Sequence, residues 1–194
     1  MATTQSTHDA ERIVDGRSVP AAGAWEVDKS HSSVGFVARH LMVGKTRGRF
    51  ADYDVDLVIG DRPEDSRVEV AIQAASITTG DDGRDGHLVS ADFLDVENHP
   101  TLSFRTVSVA PESDDHWRVE GELTIVGVTR PVTLEVDFDG AVVDPWDNAK
   151  ASFSAWTEFD REEFGLTWNQ PLAAGGVLVG KKVKVEIEIE ATRA

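Results

Sequence analysis

Residues 84–100, RDGHLVSADFLDVENHP, concentrate side chains that bind metals or exchange protons: two histidines, three aspartates, a glutamate and an arginine. Metal sites usually bring ligands together at spacings such as HxH or HExxH. His87 and His99 are twelve positions apart, and the sequence contains neither HxH nor HxxxH. Acid–base catalysis also needs an oriented partner group, and no GxSxG nucleophile motif is present. We therefore predict no catalytic residues and no metal ligands here.

The same segment has a structural interpretation. It belongs to a connection over residues 77–100, which lacks strand periodicity and is long for a compact domain. Such connections are often lids. GHLVSADFLD can form one or two helical turns with Leu88, Phe93 and Leu94 on its apolar underside, and Asp85 is placed to cap them. We call residues 77–100 the lid segment and expect it to close one end of the domain.

Charge and composition exclude several classes of function. The 194 residues include 35 acids and 19 bases, a formal net charge of −16, so a nucleic-acid backbone would be repelled. The absence of cysteine excludes disulfides, thiolate metal sites and a cysteine nucleophile. No window approaches the roughly 18 apolar residues of a membrane span. No signal peptide is visible at the N-terminus, from which we expect a cytoplasmic protein.

Apolar and polar residues alternate strictly along most of the chain from Trp25 onward. In RVEVAIQA (67–74) valine or isoleucine occupies every second position, and KKVKVEIEIEA (181–191) repeats the pattern. A period of two over about eight segments predicts half-buried antiparallel strands, in an all-β sandwich or closed eight-stranded barrel. Residues 1–23 lack a period and predict a flexible N-terminal tail, which leaves 24–194 as the barrel domain.

The alternation also predicts which side chains face inward. Charge is nearly absent from the inward set, so a hollow barrel would enclose an apolar lumen, but the pattern alone does not separate a filled core from a ligand cavity. The predicted lumen-lining residues, including the underside of the lid segment, are Val34, Phe36, Phe50, Val55, Leu57, Val70, Ile72, Leu88, Phe93, Phe104, Trp117, Val119, Leu134, Val136, Phe153 and Phe159.

Four stretches, in order, resemble the motifs of one known family. They are WEVDKSHSSVGFVARHL (25–41), AASITTGDDGRDGHLVSADFLDVENHPTLSF (74–104), GELTIVGVTRPVTLEVDFDG (121–140) and FDREEFGL (159–166). On these motifs the chain resembles the YceI-like, or polyisoprenoid-binding, family over about residues 24–192. The resemblance implies an extended, lipocalin-like barrel with a short helical lid.

The resemblance also implies a function. Family members are similar in binding an isoprenoid or another long-chain lipid in an apolar tunnel, and they often dimerise. We therefore expect a non-enzymatic homodimer that binds a polyisoprenoid of quinone or prenyl type as carrier, store or sensor, with no cofactor besides that lipid. Many members carry a secretion signal, which this sequence does not show. His31, Arg39, His40 and Arg161 are the candidate head-group contacts.

Two other functions stay open from the sequence. A histidine-dependent hydrolase or isomerase acting on a small apolar substrate would use His31, His40, His87 or His99, which would have to converge on one pocket. A protein-binding module would instead have a filled barrel and an exposed apolar patch around Trp156 and Trp168.

Overall fold

Antiparallel strands make up most of the computed structural model, which describes residues 10–41, 43–173 and 175–194. The strands are interrupted by one helix, α1 (Asp82–Leu88), and by short 3-10 turns at Pro63–Asp65, Ala74–Ser76 and Arg161–Phe164. The strands are β1 (Glu11–Val14), β2 (Arg17–Pro20), β3 (Gly23–Val27), β4 (Ser33–His40), β5 (Gly44–Phe50), β6 (Tyr53–Ile59), β7 (Arg67–Gln73), β8 (Ile77–Thr78), β9 (Thr101–Pro111), β10 (His116–Ile125), β11 (Val128–Val143), β12 (Ala149–Asp160) and β13 (Val179–Arg193).

Eight of the strands in the described part of the chain close into a barrel. Their order is β12-β11-β10-β9-β7-β6-β3-β13, and β13 pairs with β12 to complete the ring. Strand β13 pairs with β4 between Val179 and Glu188 and with β3 only between Ala191 and Arg193. Strand β4 also pairs with β5. The predicted eight-stranded antiparallel barrel is confirmed, and the lengths of β11 and β13, 16 and 15 residues, make it an extended one.

Apolar residues of the alternating sequence face the inside of the barrel, and polar residues face the outside. In the β6–β7 pair, Val55 lies opposite Val70, and Asp56 lies opposite Glu69. Directly opposed residues of an antiparallel pair point to the same face of the sheet. The two valines therefore face the interior together, while the two carboxylates are exposed.

Buried apolar side chains gather in two groups at opposite ends of the barrel, as strand β12 shows. Ala149 and Ala151 at its start belong to one group, and Phe159 near its end packs against the other. The hairpin-end cluster consists of Ala10, Ala21, Trp25, Ile59, Phe138, Ala149, Ala151 and Ala191. The lid-end cluster consists of Ala74, Ile77, Leu94, Leu102, Ile125, Phe164 and Leu166.

The N-terminal region differs from its prediction as a flexible tail. Strands β1 and β2 form a hairpin that packs on the barrel, and Val19 is only 1% exposed. Arg12 donates hydrogen bonds to the carbonyl oxygens of Asp61 and Gly60, each at 2.6 Å. Strands of four residues are too short to show a period, which is why the sequence did not reveal them. Of the predicted tail, residues 1–9 lie outside the described residues.

The lid segment contains the predicted short helix. Leu94 is buried in the lid-end cluster, and Leu88 packs against that cluster. The capping residue is Asp81 rather than the predicted Asp85, because the Asp81 side chain accepts a hydrogen bond from the backbone N–H of Arg84 at 2.8 Å. Within the described ranges, no helix has the length and apolar content needed to cross a membrane.

Truncation of Phe164 tests whether the lid-end cluster stabilises the barrel. Phe164 is 1% exposed, and its ring centroid lies 5.0 Å from that of Phe159. We expect Phe164→Ala to lower the free energy of unfolding by about 3–5 kcal/mol, because it leaves a cavity among packed side chains. Urea titration followed by circular dichroism measures the loss.

Val107→Ala is the matched control, because Val107 is 64% exposed. It should change the free energy of unfolding by no more than about 0.5 kcal/mol. Equal losses in the two variants would contradict the burial of Phe164.

Candidate ligand-binding lumen

An apolar cavity of about 260 Å³ lies inside the barrel between the two clusters. Its wall is made by inward-facing side chains of the ring strands, by Val34 of β4, by Pro63 and Ser66 of the β6–β7 connection, and by Val19 and Pro20 of the N-terminal hairpin. Medium-sized side chains such as Val55, Val70 and Val119 line its middle. Enclosed cavities with apolar walls can stay free of water and bind apolar guests.

Twelve of the sixteen residues predicted to line the lumen border this cavity. The structure brings together Val34, Val55, Leu57, Val70, Ile72, Phe104, Trp117, Val119, Leu134, Val136, Phe153 and Phe159. The wall also contains residues that the prediction omitted. Most of them, such as Val185, Ile187 and Leu123, follow the same alternation, whereas nothing in the sequence pointed to Val19 and Pro20.

The other four predicted lining residues lie elsewhere. Phe36 and Phe50, with centroids 5.9 Å apart, pack against the lid-end cluster together with Leu88. The Phe36 ring covers Gly48, where an added Cβ would lie 2.3 Å from Phe36 Cζ. Inward parity does not fix the level of a residue along the barrel, because Val34 borders the cavity although it lies on the same strand as Phe36.

Phe93 lies in an aromatic group with His87 and Trp168, away from the cavity wall. Its ring centroid is 5.0 Å from that of His87 and 5.2 Å from that of Trp168. His87 and Trp168 stand edge to face at 4.6 Å, the geometry that aromatic quadrupoles favour. The two tryptophans suspected of forming one patch have different surroundings, because Trp156 lies against His116, at 5.6 Å between centroids.

The few polar groups of the cavity wall are placed so that charge stays out of its interior. Thr106 Oγ1 accepts from the N–H of Val68 at 2.9 Å and donates to the carbonyl of Val68 at 3.0 Å. Arg67 is the one ionisable residue among the described residues of the wall, and it is exposed. Arg67 follows the 3-10 turn that contains the buried Pro63, and we call this part of the cavity the mouth.

None of the four candidate head-group residues lines this cavity. Arg39 and His40 are exposed at the end of β4. Arg161 is 2% exposed, and its guanidinium donates to the carbonyl oxygens of Gly180, at 3.0 Å, and Leu166. These bonds tie the 3-10 turn after β12 to the start of β13, which gives Arg161 a structural role.

The histidines of the enzyme alternative also stay outside the cavity. His87 Nε2 lies 2.8 Å from Asp92 Oδ2, within the lid segment. The ring of His99 lies over Gly127, where an added Cβ would be 3.0 Å from His99 Cε1. His40 is the last residue of β4, and His31 lies two residues before the first residue of that strand. The enzyme alternative required these histidines to converge on one pocket. The four histidines do not share one.

His31 forms an ion pair whose strength a titration can measure. Its Nδ1 lies 3.0 Å from Asp28 Oδ2, and the hydrogen bond to this carboxylate raises the pKa of His31. A raised pKa means that the folded state binds the proton more tightly than the unfolded state does. The contribution to stability is complete below the unfolded pKa of about 6.5 and is lost as the pH rises through the folded value.

We expect Asp28→Asn to lower the pKa of His31 toward its ordinary value in a ¹H–¹³C NMR titration. Glu163→Gln removes the same charge at an exposed position on another part of the barrel and serves as the control. A His31 pKa that Asp28→Asn leaves unchanged would show that the ion pair is absent in solution.

Comparison with known proteins places this geometry in a family. Residues 25–191 match the YceI-like domain. The UPF0312 protein SAB2563 of Staphylococcus aureus is 38% identical over 166 residues, which cover 84% of this chain and 94% of that protein.

Solved structures share the fold at lower identity. BcnA of Burkholderia cenocepacia superposes with a TM-score of 0.76 at 21% identity and covers 86% of this chain and 100% of its own. A polyisoprenoid binding domain from Saccharophagus degradans gives a TM-score of 0.66 at 13% identity, covering 90% and 100% of the two chains. The chain belongs to the YceI-like family.

Proposed function

We propose that the barrel binds one long apolar lipid, of isoprenoid quinone or prenyl type, in its lumen and acts as a carrier, store or sensor of that lipid. The observation that carries this proposal is the cavity of about 260 Å³ with an apolar wall. Each square ångström of apolar lipid surface that leaves water contributes roughly 25 cal/mol, so such a wall favours a guest with no polar groups along its length.

The dimensions of the cavity favour a narrow chain. Its volume of about 260 Å³ is slightly below the range of roughly 300–1,000 Å³ that is typical of small-molecule sites. Phe104, Trp117 and Phe153 narrow the lumen from different strands. An unbranched or methyl-branched tail suits this space better than a fused-ring lipid or a bulky head group.

The mouth supplies the direction of binding. A lipid whose tail fills the lumen would place its polar end beside Arg67, the exposed residue of the wall, whose guanidinium is a charged hydrogen-bond donor. Arg67 is therefore our proposed head-group contact, in place of His31, Arg39, His40 and Arg161. The homodimer and the cytoplasmic location expected from the sequence stay predictions.

The likeness to the Saccharophagus degradans domain supports the proposal by analogy only. That domain is described as polyisoprenoid binding, but at 13% identity the likeness extends to the fold, and one fold serves many functions. The wall residues of this chain carry the argument about its own ligand.

Organic extraction of protein purified without detergent, followed by mass spectrometry, tests the function directly. We expect an isoprenoid or another long-chain lipid to co-purify at up to one molecule per chain. A protein that yields no lipid, and that also fails to take up an added isoprenoid quinone, would contradict the proposal.

Filling the lumen tests the assigned site. Leu134 lines the cavity, whereas its neighbour Thr133 lies on the outer face of the same strand. We expect Leu134→Trp to reduce lipid retention at least tenfold, because the added indole volume occupies the lumen. Thr133→Trp should retain lipid as the parent protein does.

Lipid retention is measured by the same extraction, and circular dichroism confirms that each variant is folded. A folded Leu134→Trp protein with undiminished lipid would place the ligand outside the lumen.

A further inference from the structure

A histidine and three carboxylates converge on the outer surface of the barrel, beside the hairpin that joins β9 to β10. His116 Nδ1 lies 2.6 Å from Asp137 Oδ1. His116 Nε2 lies 3.0 Å from Glu135 Oε2 and 3.8 Å from Glu112 Oε2. One ligand atom from each of His116, Glu112 and Glu135 lies within 4.8 Å of the other two. None of the four residues lines the lumen, so the cluster is independent of the proposed lipid site.

The groups of this cluster are oriented toward a common point. Arg118 contacts Oε1 of Glu112 and, at 3.9 Å, Oε1 of Glu135. The other oxygen of each glutamate, Oε2, is the one nearest to Nε2 of His116. Without a metal, both ring nitrogens lie within hydrogen-bond distance of a carboxylate, Nδ1 of Asp137 and Nε2 of Glu135. A cation bound at Nε2 would replace the proton on that nitrogen, while Nδ1–H continued to donate to Asp137. Metal-binding histidines are commonly held by a carboxylate in this way, which fixes the tautomer and the direction of the ring.

The net charge of the cluster balances that of a divalent cation. With a neutral imidazole, the three carboxylates and the guanidinium of Arg118 sum to two negative charges. Zn²⁺ accepts imidazole nitrogen and carboxylate oxygen in a tetrahedral arrangement, and a water can complete it. Mg²⁺ and Ca²⁺ prefer sites built from oxygen alone.

We propose that Glu112, His116 and Glu135 form a surface site for Zn²⁺, with Asp137 and Arg118 positioning its ligands. The ion would link the β9–β10 hairpin to β11, since Glu112 and His116 flank the hairpin and Glu135 lies on the neighbouring strand. Metal binding would then stabilise the folded barrel.

A second histidine–carboxylate cluster provides an internal comparison. Asp28, His31 and Glu190 also bring ligand atoms within 4.8 Å of one another. Here Lys150 Nζ lies 3.5 Å from Asp28 Oδ2 and 3.2 Å from Glu190 Oε1. Asp28 Oδ2 is also the oxygen that faces His31 Nδ1, so the ammonium group lies on the oxygen that a metal would need, whereas Arg118 contacts Oε1 of its two glutamates and not the Oε2 atoms near His116. The second cluster is therefore not proposed to bind a metal.

Isothermal titration calorimetry with ZnCl₂, on protein that carries no polyhistidine tag, tests the site. We expect one zinc ion per chain and, with free zinc in hundredfold excess over Kd, a rise in Tm of about 5–10 °C. MgCl₂ and CaCl₂ at the same concentration should leave Tm unchanged. A protein that binds no zinc, because His116 is a protonated imidazolium between Asp137 and Glu135, would overturn the proposal.

Three variants locate the zinc. His116→Gln should abolish zinc binding, and Asp137→Asn should weaken it about 10–100-fold. His31→Gln makes the matched substitution in the second cluster and should bind zinc as the parent does. If His116→Gln fails to fold, as judged by circular dichroism without metal, the other two variants decide. Unchanged affinity in Asp137→Asn, or loss of binding in His31→Gln, would overturn the assignment.

Discussion

Closure of eight strands around an interior that their side chains do not fill is the constraint on which the rest of this structure depends. Once the ring is closed, every second residue of each strand must occupy a space without water, where an unpaired charge is very costly. The size of the inward-facing side chains then decides whether a given level of the barrel is filled or left open. Valines such as Val55, Val70 and Val119 leave the middle open, whereas Trp25 and Phe164 fill the two ends.

The histidines and carboxylates of the lid segment have a structural role. After the two-residue strand β8, which pairs with β5, the lid segment crosses one end of the barrel without a strand partner, so its backbone groups need side-chain partners. Asp81 caps the helix, and the Asp85 carboxylate accepts hydrogen bonds from the backbone N–H and the hydroxyl of Thr79. His87 is likewise bound to Asp92. These polar groups hold a cover in place, which explains their density without any reaction.

The sequence was informative where a physical rule relates the position of a residue in a strand to the face of the sheet that its side chain occupies. A period of two tells which face a residue occupies, so most of the cavity wall was predictable from residues such as Leu134 and Val136. The same rule does not tell how far along the barrel a residue lies, which is why Phe36 and Phe50, which pack against the lid-end cluster, were assigned to the lumen. The β1–β2 hairpin escaped prediction because its contacts with the barrel, such as those of Arg12, join residues distant in sequence.

A lumen filled at both ends has a kinetic consequence. A guest in the middle of the barrel must pass the wall near the mouth to leave, and the hairpin that carries Val19 and Pro20 forms part of the cavity wall. The residence time of a bound lipid would then follow the frequency of local opening in this hairpin rather than the strength of its contacts alone. A partner that pulls on β1 or β2 would control lipid release without touching the lipid.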